Sequence, residues 1–163
     1  MYRKSISRCY SSFSPKVCII GSGPAGFYVA QHLQKVLPSV TVDMYEKLPV
    51  PFGLVRYGVA PDHPEVKNVI NTFTKTANNK NFRFIGNVSL GNDIRFKDFK
   101  NAYHAVVLSY GCSEERKLGI KGEERILSAR NIVGWYNGLP ENKNLNLKLD
   151  CETCVIIGQG NVA

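Results

Sequence analysis

The sequence predicts an α/β fold built on a parallel sheet, and three observations support this prediction. Residues 17–20 form a short apolar run rich in β-branched side chains, which is typical of a strand buried on both faces of a parallel sheet. A glycine-rich turn and a helical pattern follow that run directly. A second apolar run, at residues 153–157, is again followed by glycines, so we expect a second α/β unit to begin there.

The first turn has the pattern G-x-G-x-x-G, formed by Gly21, Gly23 and Gly26. Apolar residues then recur at helical spacing from Phe27 until Pro38 stops the pattern. In a strand–turn–helix unit of this kind, the motif binds the pyrophosphate of a dinucleotide. The helix N-terminus supplies unpaired N–H groups and the positive end of the helix dipole.

A second strand is predicted over residues 40–45, and Glu46 follows it, about 20 residues past the glycine turn. A carboxylate at this position accepts hydrogen bonds from both hydroxyls of a ribose, so the expected ligand carries an adenosine ribose without a phosphate. A glycine-rich connector that binds nothing is the alternative, and the combination of strand, helix and acid argues against it.

The connector at residues 47–63 is too long and too apolar for an ordinary loop. Its aromatic and aliphatic side chains could wall a flat hydrophobic ligand, and Arg56 and His63 are its cationic and titratable groups. A proline-braced loop that packs on itself explains the same composition equally well.

Further helices and strands are predicted to alternate along the chain. Pro64 begins a helix, with Asp62 and Glu65 spaced as a capping box. The other predictions are strands at 82–85, 88–90, 105–108 and 153–157, and helices at 97–103 and within 126–138. We place a domain boundary in the charge-rich run at 114–122.

The first 16 residues contain four basic residues, five serines and no acid, which is the composition of a mitochondrial transit peptide. The sequence around Arg8 resembles a mitochondrial processing site, with cleavage expected after Tyr10. We therefore expect residues 1–10 to be a transit peptide and the protein to reach the mitochondrial matrix. An ordinary basic tail is the alternative.

Charge and hydropathy argue against a nucleic-acid-binding protein and against a membrane-spanning one. Four of the 21 basic residues lie in the leader, and the remaining 17 face 13 acids, which leaves a net charge of +4. This is not the footprint of a nucleic-acid-binding protein, although a mildly positive face raises the rate of encounter with an acidic protein. No apolar run approaches the length of a membrane span.

Beyond residue 16, the sequence resembles the family of mitochondrial NADPH:adrenodoxin (ferredoxin) reductases. The motifs that carry the resemblance are Gly21-Ser-Gly-Pro-Ala-Gly-Phe, Tyr45-Glu-Lys, residues 49–56, residues 58–68, residues 133–140 and Gly158-Gln-Gly-Asn-Val-Ala. The resemblance implies an incomplete Rossmann-like FAD-binding domain, with its N-terminal segment at 11–114. The start of a second Rossmann-like domain, which binds NADP, would follow at 115–163.

The resemblance also implies which residues bind the two cofactors. The residues expected to bind FAD are Gly21, Gly23, Ala25, Gly26, Glu46, Leu54 and Leu90. The residues expected to bind the pyrophosphate of NADPH are Gln159, Gly160, Asn161 and Val162. His63 would be a polar neighbour of the flavin and the candidate catalytic group, with a helix-capping role as an equal alternative.

The implied activity is electron transfer from NADPH through FAD to a [2Fe–2S] ferredoxin of the adrenodoxin type. That ferredoxin would serve mitochondrial P450s or iron–sulfur assembly, and a peripheral association with the inner membrane is a further expectation. Because the family returns to its FAD domain after its NADP domain, we expect residues 1–163 alone to be inactive. A non-catalytic truncated isoform or fragment is the alternative.

The five cysteines form an odd, scattered set that predicts no disulfide framework. Cys18 is predicted to be a small buried residue of the first strand. Cys151 and Cys154 form a C-x-x-C pair, which suggests a flavin-linked disulfide reductase as another alternative. That function ranks lower because the pair lies at the end of the predicted strand opposite the phosphate turn. No second Cys or His pair accompanies it to make a zinc site.

Overall fold

The computed structural model describes residues 13–112, 114–160 and 162. The strands are β1 (Lys16–Ile20), β2 (Thr41–Tyr45), β3 (Phe82–Ile85) and β4 (Ala105–Leu108). The helices are α1 (Pro24–Val36), α2 (Gly53–Tyr57), α3 (Pro64–Lys67), α4 (Val69–Ala77), α5 (Phe96–Ala102) and α6 (Ala129–Tyr136). Two 3₁₀ turns lie at Glu123–Arg125 and Pro140–Asn142. The leader predicted at residues 1–10 lies outside the described residues.

The four strands form one parallel sheet in the order β3-β2-β1-β4. Strand β1 lies in the interior, with Val17 paired to Val42 on one side and to Ala105 on the other. The predicted α/β fold with a parallel sheet is therefore confirmed.

Helices cover both faces of the sheet, which is why its strands are mostly apolar. On one face, Ile19 packs in a cluster with Phe27 of α1 and Phe73 of α4. On the other, Cys18 packs with Phe99 of α5. Burial, reinforced by the negative charge of Asp43, raises the pKa of the Cys18 thiol to about 12. Cys18 is therefore the small buried residue that the sequence predicted.

The glycine turn leads directly into α1, as predicted. Gly23 is the N-cap and Pro24 occupies the first helical turn, where its missing N–H costs no hydrogen bond. The helix ends at Val36, two residues before Pro38. The N-terminus of α1 therefore lies in the turn that follows β1.

The segment from residue 47 to 77 differs from its prediction in three ways. The long connector contains a helix, α2, which was not predicted. The single helix expected after Pro64 is two helices, because Asn68 N bonds to Glu65 O at 3.3 Å in a tightened turn. The capping box was also wrong: His63, not Asp62, is the N-cap, and no side chain caps that end.

Two predicted strands do not form among the described residues. At residues 88–90 the chain turns back, because the Asp93 carboxylate accepts a hydrogen bond from Ser89 N at 2.7 Å, and only an isolated bridge joins Leu90 to Ile94. Residues 153–157 form no strand, and Val155 is 81% exposed. A fully apolar strand needs neighbouring strands and covering helices, but no described strand pairs with residues 153–157 and their side chains are exposed.

Within the described part of the chain, no helix combines the length and the apolar character that crossing a bilayer requires. The described elements of the sheet end at Leu108, before the charge-rich run at 114–122. The domain boundary placed in that run stays a prediction.

Candidate functional site

The candidate site lies where the adjacent strands β1 and β2 end. Gly21 follows β1 and Glu46 follows β2, and Gly21 N donates to Tyr45 O at 2.8 Å. Because parallel strands present their carboxyl ends at one edge, the two predicted binding elements lie side by side. A cavity of about 370 Å³ opens there, and Gly21, Glu46 and Leu90 are among its lining residues.

Two of the glycines are required by close contacts around the turn. A Cβ added to Gly21 would lie 2.4 Å from Tyr110 Cα, and φ at Gly21 is +104°. A Cβ on Gly26 would lie 2.3 Å from Gly21 O, so α1 packs against the turn with no room for a side chain. Gly21 thus permits the tight turn, and Gly26 permits close packing of α1.

Gly23 has a different role, because a Cβ there would meet nothing within 4 Å. Its backbone is also ordinary for any residue, with φ of −76°. The space beside Gly23 therefore lies open at the N-terminus of α1. Helix N–H groups and an open approach are what a pyrophosphate needs, so the turn fits a dinucleotide.

Glu46 is half-buried and its carboxylate is firmly held. Oε2 accepts hydrogen bonds from Ser22 N at 2.9 Å and from Ser22 Oγ at 2.7 Å. Oε1 accepts one from Leu48 N at 3.1 Å. The carboxylate is thus fixed at the cavity, at the position expected for ribose recognition.

The other residues expected to bind FAD occupy different positions. Ala25 is exposed in the first turn of α1, and Leu90 lines the cavity. Leu54, on α2, is 66% exposed and does not line the cavity, although its neighbour Gly53 approaches Gly23 so closely that an added Cβ would lie 3.0 Å from Gly23 Cα. The loop that carries Leu54 therefore adjoins the phosphate turn.

His63 is exposed and lies outside the lining of the cavity. It is the N-cap residue of α3 by position, but its ring accepts no capping hydrogen bond from the helix N–H groups; Nδ1 lies 3.3 Å from Glu65 Oε1. The expectation that His63 lies next to the flavin stays a prediction.

The residues expected to bind NADPH follow the exposed segment at 153–157. Gln159, Gly160 and Val162 are exposed, and Asn161 lies outside the described residues. Cys151 and Cys154 are exposed free thiols, and neither lines the cavity. Among the described residues, no cluster of three or more His, Cys, Asp or Glu side chains is arranged to hold a metal ion.

Several residues of the site were missed from the sequence, with Ser22, Lys47 and Tyr110 among them. Ser22 holds Glu46, while Lys47 and Tyr110 line the cavity. Tyr110 could have been found, because it follows β4, whose carboxyl end lies beside that of β1. Lys47 Nζ also donates to Glu141 Oε1 at 2.8 Å, which links the site to the 3₁₀ turn after α6.

Comparison with known proteins gives matches over almost the whole chain. A model of the family described as pyridine nucleotide-disulphide oxidoreductase matches residues 15–163. Proteins named "NADPH:adrenodoxin oxidoreductase, mitochondrial" from Salvelinus fontinalis and Homo sapiens are each 62% identical over 152 residues. The match covers 92% of this chain but only 30% and 31% of those relatives. The chain therefore spans about a third of their length.

A similar fold occurs in a solved structure, FprA from Mycobacterium tuberculosis in complex with NADPH. That protein is 39% identical to this chain, with a TM-score of 0.79. The similarity covers 82% of this chain and 31% of FprA. The described fold is thus similar to part of a larger protein whose structure contains NADPH.

Proposed function

Because this chain belongs to the pyridine nucleotide-disulphide oxidoreductase family, we propose that it is the first part of a flavoprotein that passes electrons from NADPH through FAD to a [2Fe–2S] ferredoxin of the adrenodoxin type. The relatives' printed names support the activity, the electron donor and the mitochondrial location. The observation on which the proposal rests is that the glycine turn after β1 and Glu46, which follows β2, lie side by side at one cavity.

In this proposal, the described residues bind the adenosine half of FAD. The N-terminus of α1, with Gly23 and Ala25, receives the pyrophosphate, while Gly21 and Gly26 keep the turn and helix tightly packed. Glu46 accepts hydrogen bonds from the ribose. Leu90 and Tyr110 line the adenine end of the cavity.

The remaining site assignments are part of the same proposal. Leu54 lies on the loop beside Gly23 and faces the flavin half, and His63 is a polar neighbour of the ring. When bound, FAD supplies the chemistry of taking two electrons together and releasing them one at a time. The protein supplies position and electrostatics, which here means a neutral turn at the phosphates and a carboxylate at the ribose.

The second nucleotide and the more distant partners are proposals that extend beyond the described sheet. Residues 11–114 form the N-terminal segment of the FAD domain, and 115–163 begin the NADP domain. Gln159, Gly160, Asn161 and Val162 receive the pyrophosphate of NADPH. The ferredoxin supplies mitochondrial P450s or iron–sulfur assembly, and the enzyme lies in the matrix, with peripheral contact to the inner membrane.

The test uses the full-length protein that contains this sequence. We expect it to purify with bound FAD and to reduce a [2Fe–2S] ferredoxin with NADPH as donor. Glu46→Gln should weaken FAD binding by about tenfold to a hundredfold, as expected for the loss of a charge-assisted hydrogen bond. The matched control is Glu124→Gln, at an exposed acid that pairs with Arg125 at 3.9 Å, and this variant should bind FAD normally. A colourless protein that binds no FAD would contradict the proposal.

A further inference from the structure

The carboxylate of Glu46 has few acceptor positions left for a ligand. A carboxylate offers about four lone-pair sites. Ser22 N and Ser22 Oγ fill the two on Oε2, at 2.9 and 2.7 Å, and Leu48 N fills one on Oε1, at 3.1 Å. The described residues therefore leave one acceptor position of the Glu46 carboxylate, on Oε1, for a ligand.

Ser22 is placed to orient this carboxylate without touching a ligand. Its side chain is fully buried, and it is not among the residues that line the cavity, whereas Glu46 is. The donors on Oε2 thus approach from the protein side. The described hydrogen bond of this hydroxyl is the one to Glu46, so its evident use is to orient that carboxylate.

The backbone of Glu46 is fixed as well. Its N donates to Ile85 O at 3.0 Å, and its O accepts from Val88 N at 2.9 Å. A glutamate with a free side chain loses rotamer freedom when a ligand binds. Glu46 has lost that freedom beforehand, and such preorganisation favours affinity.

We propose that Ser22 is the positioning residue of the ribose site: its hydroxyl holds Oε2 so that Oε1 is the acceptor for a ribose hydroxyl. This inference rests on the proposed function, since it takes Glu46 to bind the adenosine ribose of FAD. It also refines the expectation that the carboxylate accepts both hydroxyls, because one hydrogen bond to Oε1 then carries the recognition.

The test is a double-mutant cycle in the full-length protein stripped of cofactor. The dissociation constant for FAD is measured from the quenching of flavin fluorescence in wild type, Ser22→Ala, Glu46→Ala and the double variant. Ser22→Ala should weaken binding about three- to tenfold, the range for the loss of one ordinary hydrogen bond. In the Glu46→Ala background the same change should have no effect, because nothing is left for the hydroxyl to orient.

Ser109→Ala is the matched control. Ser109 Oγ donates to Gly21 O at 3.0 Å, so it supports the same turn but makes no contact with Glu46. Its effect on the dissociation constant should be equal with and without Glu46. Ser22→Gly removes the same hydroxyl and serves as a second variant if Ser22→Ala does not fold.

The outcomes separate the two claims. An effect of Ser22→Ala that is equal in both backgrounds overturns the positioning role and leaves the proposed function intact, as does an unchanged affinity in Ser22→Ala. Wild-type protein that binds no FAD overturns the proposed function, and this inference with it. The assignment is supported if Ser22→Ala weakens FAD binding when Glu46 is present and has no effect on FAD binding in the Glu46→Ala background.

Discussion

Arg83 donates hydrogen bonds to both carboxylate oxygens of Asp43, from Nε to Oδ1 at 2.6 Å and from Nη2 to Oδ2 at 2.5 Å. The side chain of Asp43 is 2% exposed and that of Arg83 is 68% exposed. Tyr103 Oη donates to the same carboxylate at 2.7 Å. The buried negative charge of Asp43, in the interior strand β2, is thus neutralised by Arg83 of the edge strand β3.

The protonation of this cluster follows from its contacts. Burial acts to raise the pKa of Asp43, but the hydrogen bonds from Arg83 and Tyr103 outweigh burial and lower that pKa below its ordinary value. Burial, with the negative carboxylate beside it, raises the pKa of Tyr103, which stays a donor. Asp43 is therefore ionised, and its pairing stabilises the sheet at neutral pH.

Replacing Arg83 by methionine should lower the thermal midpoint of the protein at pH 7. In wild type, the lowered pKa of Asp43 adds stability that is present above the ordinary aspartate pKa of about 3.9 and is lost as the pH falls below it. In Arg83→Met, burial of the carboxylate dominates and raises its pKa instead. The deficit of the variant should therefore be largest near neutral pH and should shrink as the pH falls toward 4.

Arg95→Met is the matched control for that experiment. Arg95 forms the same type of pair with Asp98 at 3.0 Å, but both side chains are exposed. Exposed pairs contribute little because water screens them. Arg95→Met should leave the midpoint nearly unchanged, and equal effects of the two substitutions would show that burial of Asp43 is unimportant.

Phe52 anchors the long connector at residues 47–63 in the hydrophobic core. Its ring is 8% exposed, and its centroid lies 5.2 Å from that of Phe27, while its N donates to Ser22 O at 3.0 Å. Phe52→Ala should cost about 3 to 5 kcal/mol, as for other buried aromatic residues. The loss should open the loop first, so hydrogen exchange should accelerate at the Gly58 amide.

The control for Phe52 is Phe96→Ala, at a ring that is 43% exposed, where loop exchange should stay normal. The Ile20 amide, within the central strand β1, reports on global unfolding. Equal acceleration at Ile20 and Gly58 in Phe52→Ala would mean that the loop has no independent opening, contrary to the expectation.

Sequence patterns predicted the part of the fold that neighbouring residues determine. The strand β1, the glycine turn and α1 follow one another directly, and Pro38 limits the helix. Each of these features depends on contacts close in the chain, so an apolar run and three glycines were sufficient. The same holds for the place of Glu46, because a residue that follows a parallel strand lies at the carboxyl edge of the sheet.

Features that depend on distant partners could not be predicted in this way. Residues 153–157 have the composition of a buried strand, but a strand forms only where another strand supplies hydrogen bonds. Phe52 has a φ of +90°, which a phenylalanine rarely adopts, and its packing against Phe27 offsets this strain. The link from Ser22 to Glu46 spans 24 residues and has no local signature.

Replacing both Cys151 and Cys154 by serine in the full-length protein should leave NADPH-dependent ferredoxin reduction unchanged. Both thiols are exposed, and neither lies at the cavity of Gly21 and Glu46. A pair that passed electrons to a disulfide substrate would need to receive them from the flavin. Steady-state ferredoxin reduction and thermal midpoints test this together. Loss of reduction with an unchanged midpoint would revive the disulfide reductase alternative.

Gly26→Ala should impair folding, whereas Gly23→Ala should impair FAD binding, although the two glycines are only three residues apart. A Cβ at Gly26 would lie 2.3 Å from Gly21 O and 3.2 Å from Ile19 Cγ2, so α1 would have to move away from β1. Gly26→Ala should therefore lower the thermal midpoint strongly, even without FAD. A Cβ at Gly23 meets nothing within 4 Å, and alanine as N-cap costs about 1 kcal/mol or less relative to glycine.

The Gly23→Ala protein should consequently fold nearly as well as wild type. Its methyl group would occupy the space through which the pyrophosphate approaches the backbone. We expect FAD binding to weaken by about tenfold or more, measured by flavin fluorescence, with a midpoint near that of cofactor-free wild type. If Gly23→Ala bound FAD as tightly as wild type, the pyrophosphate would have to lie elsewhere than at the N-terminus of α1.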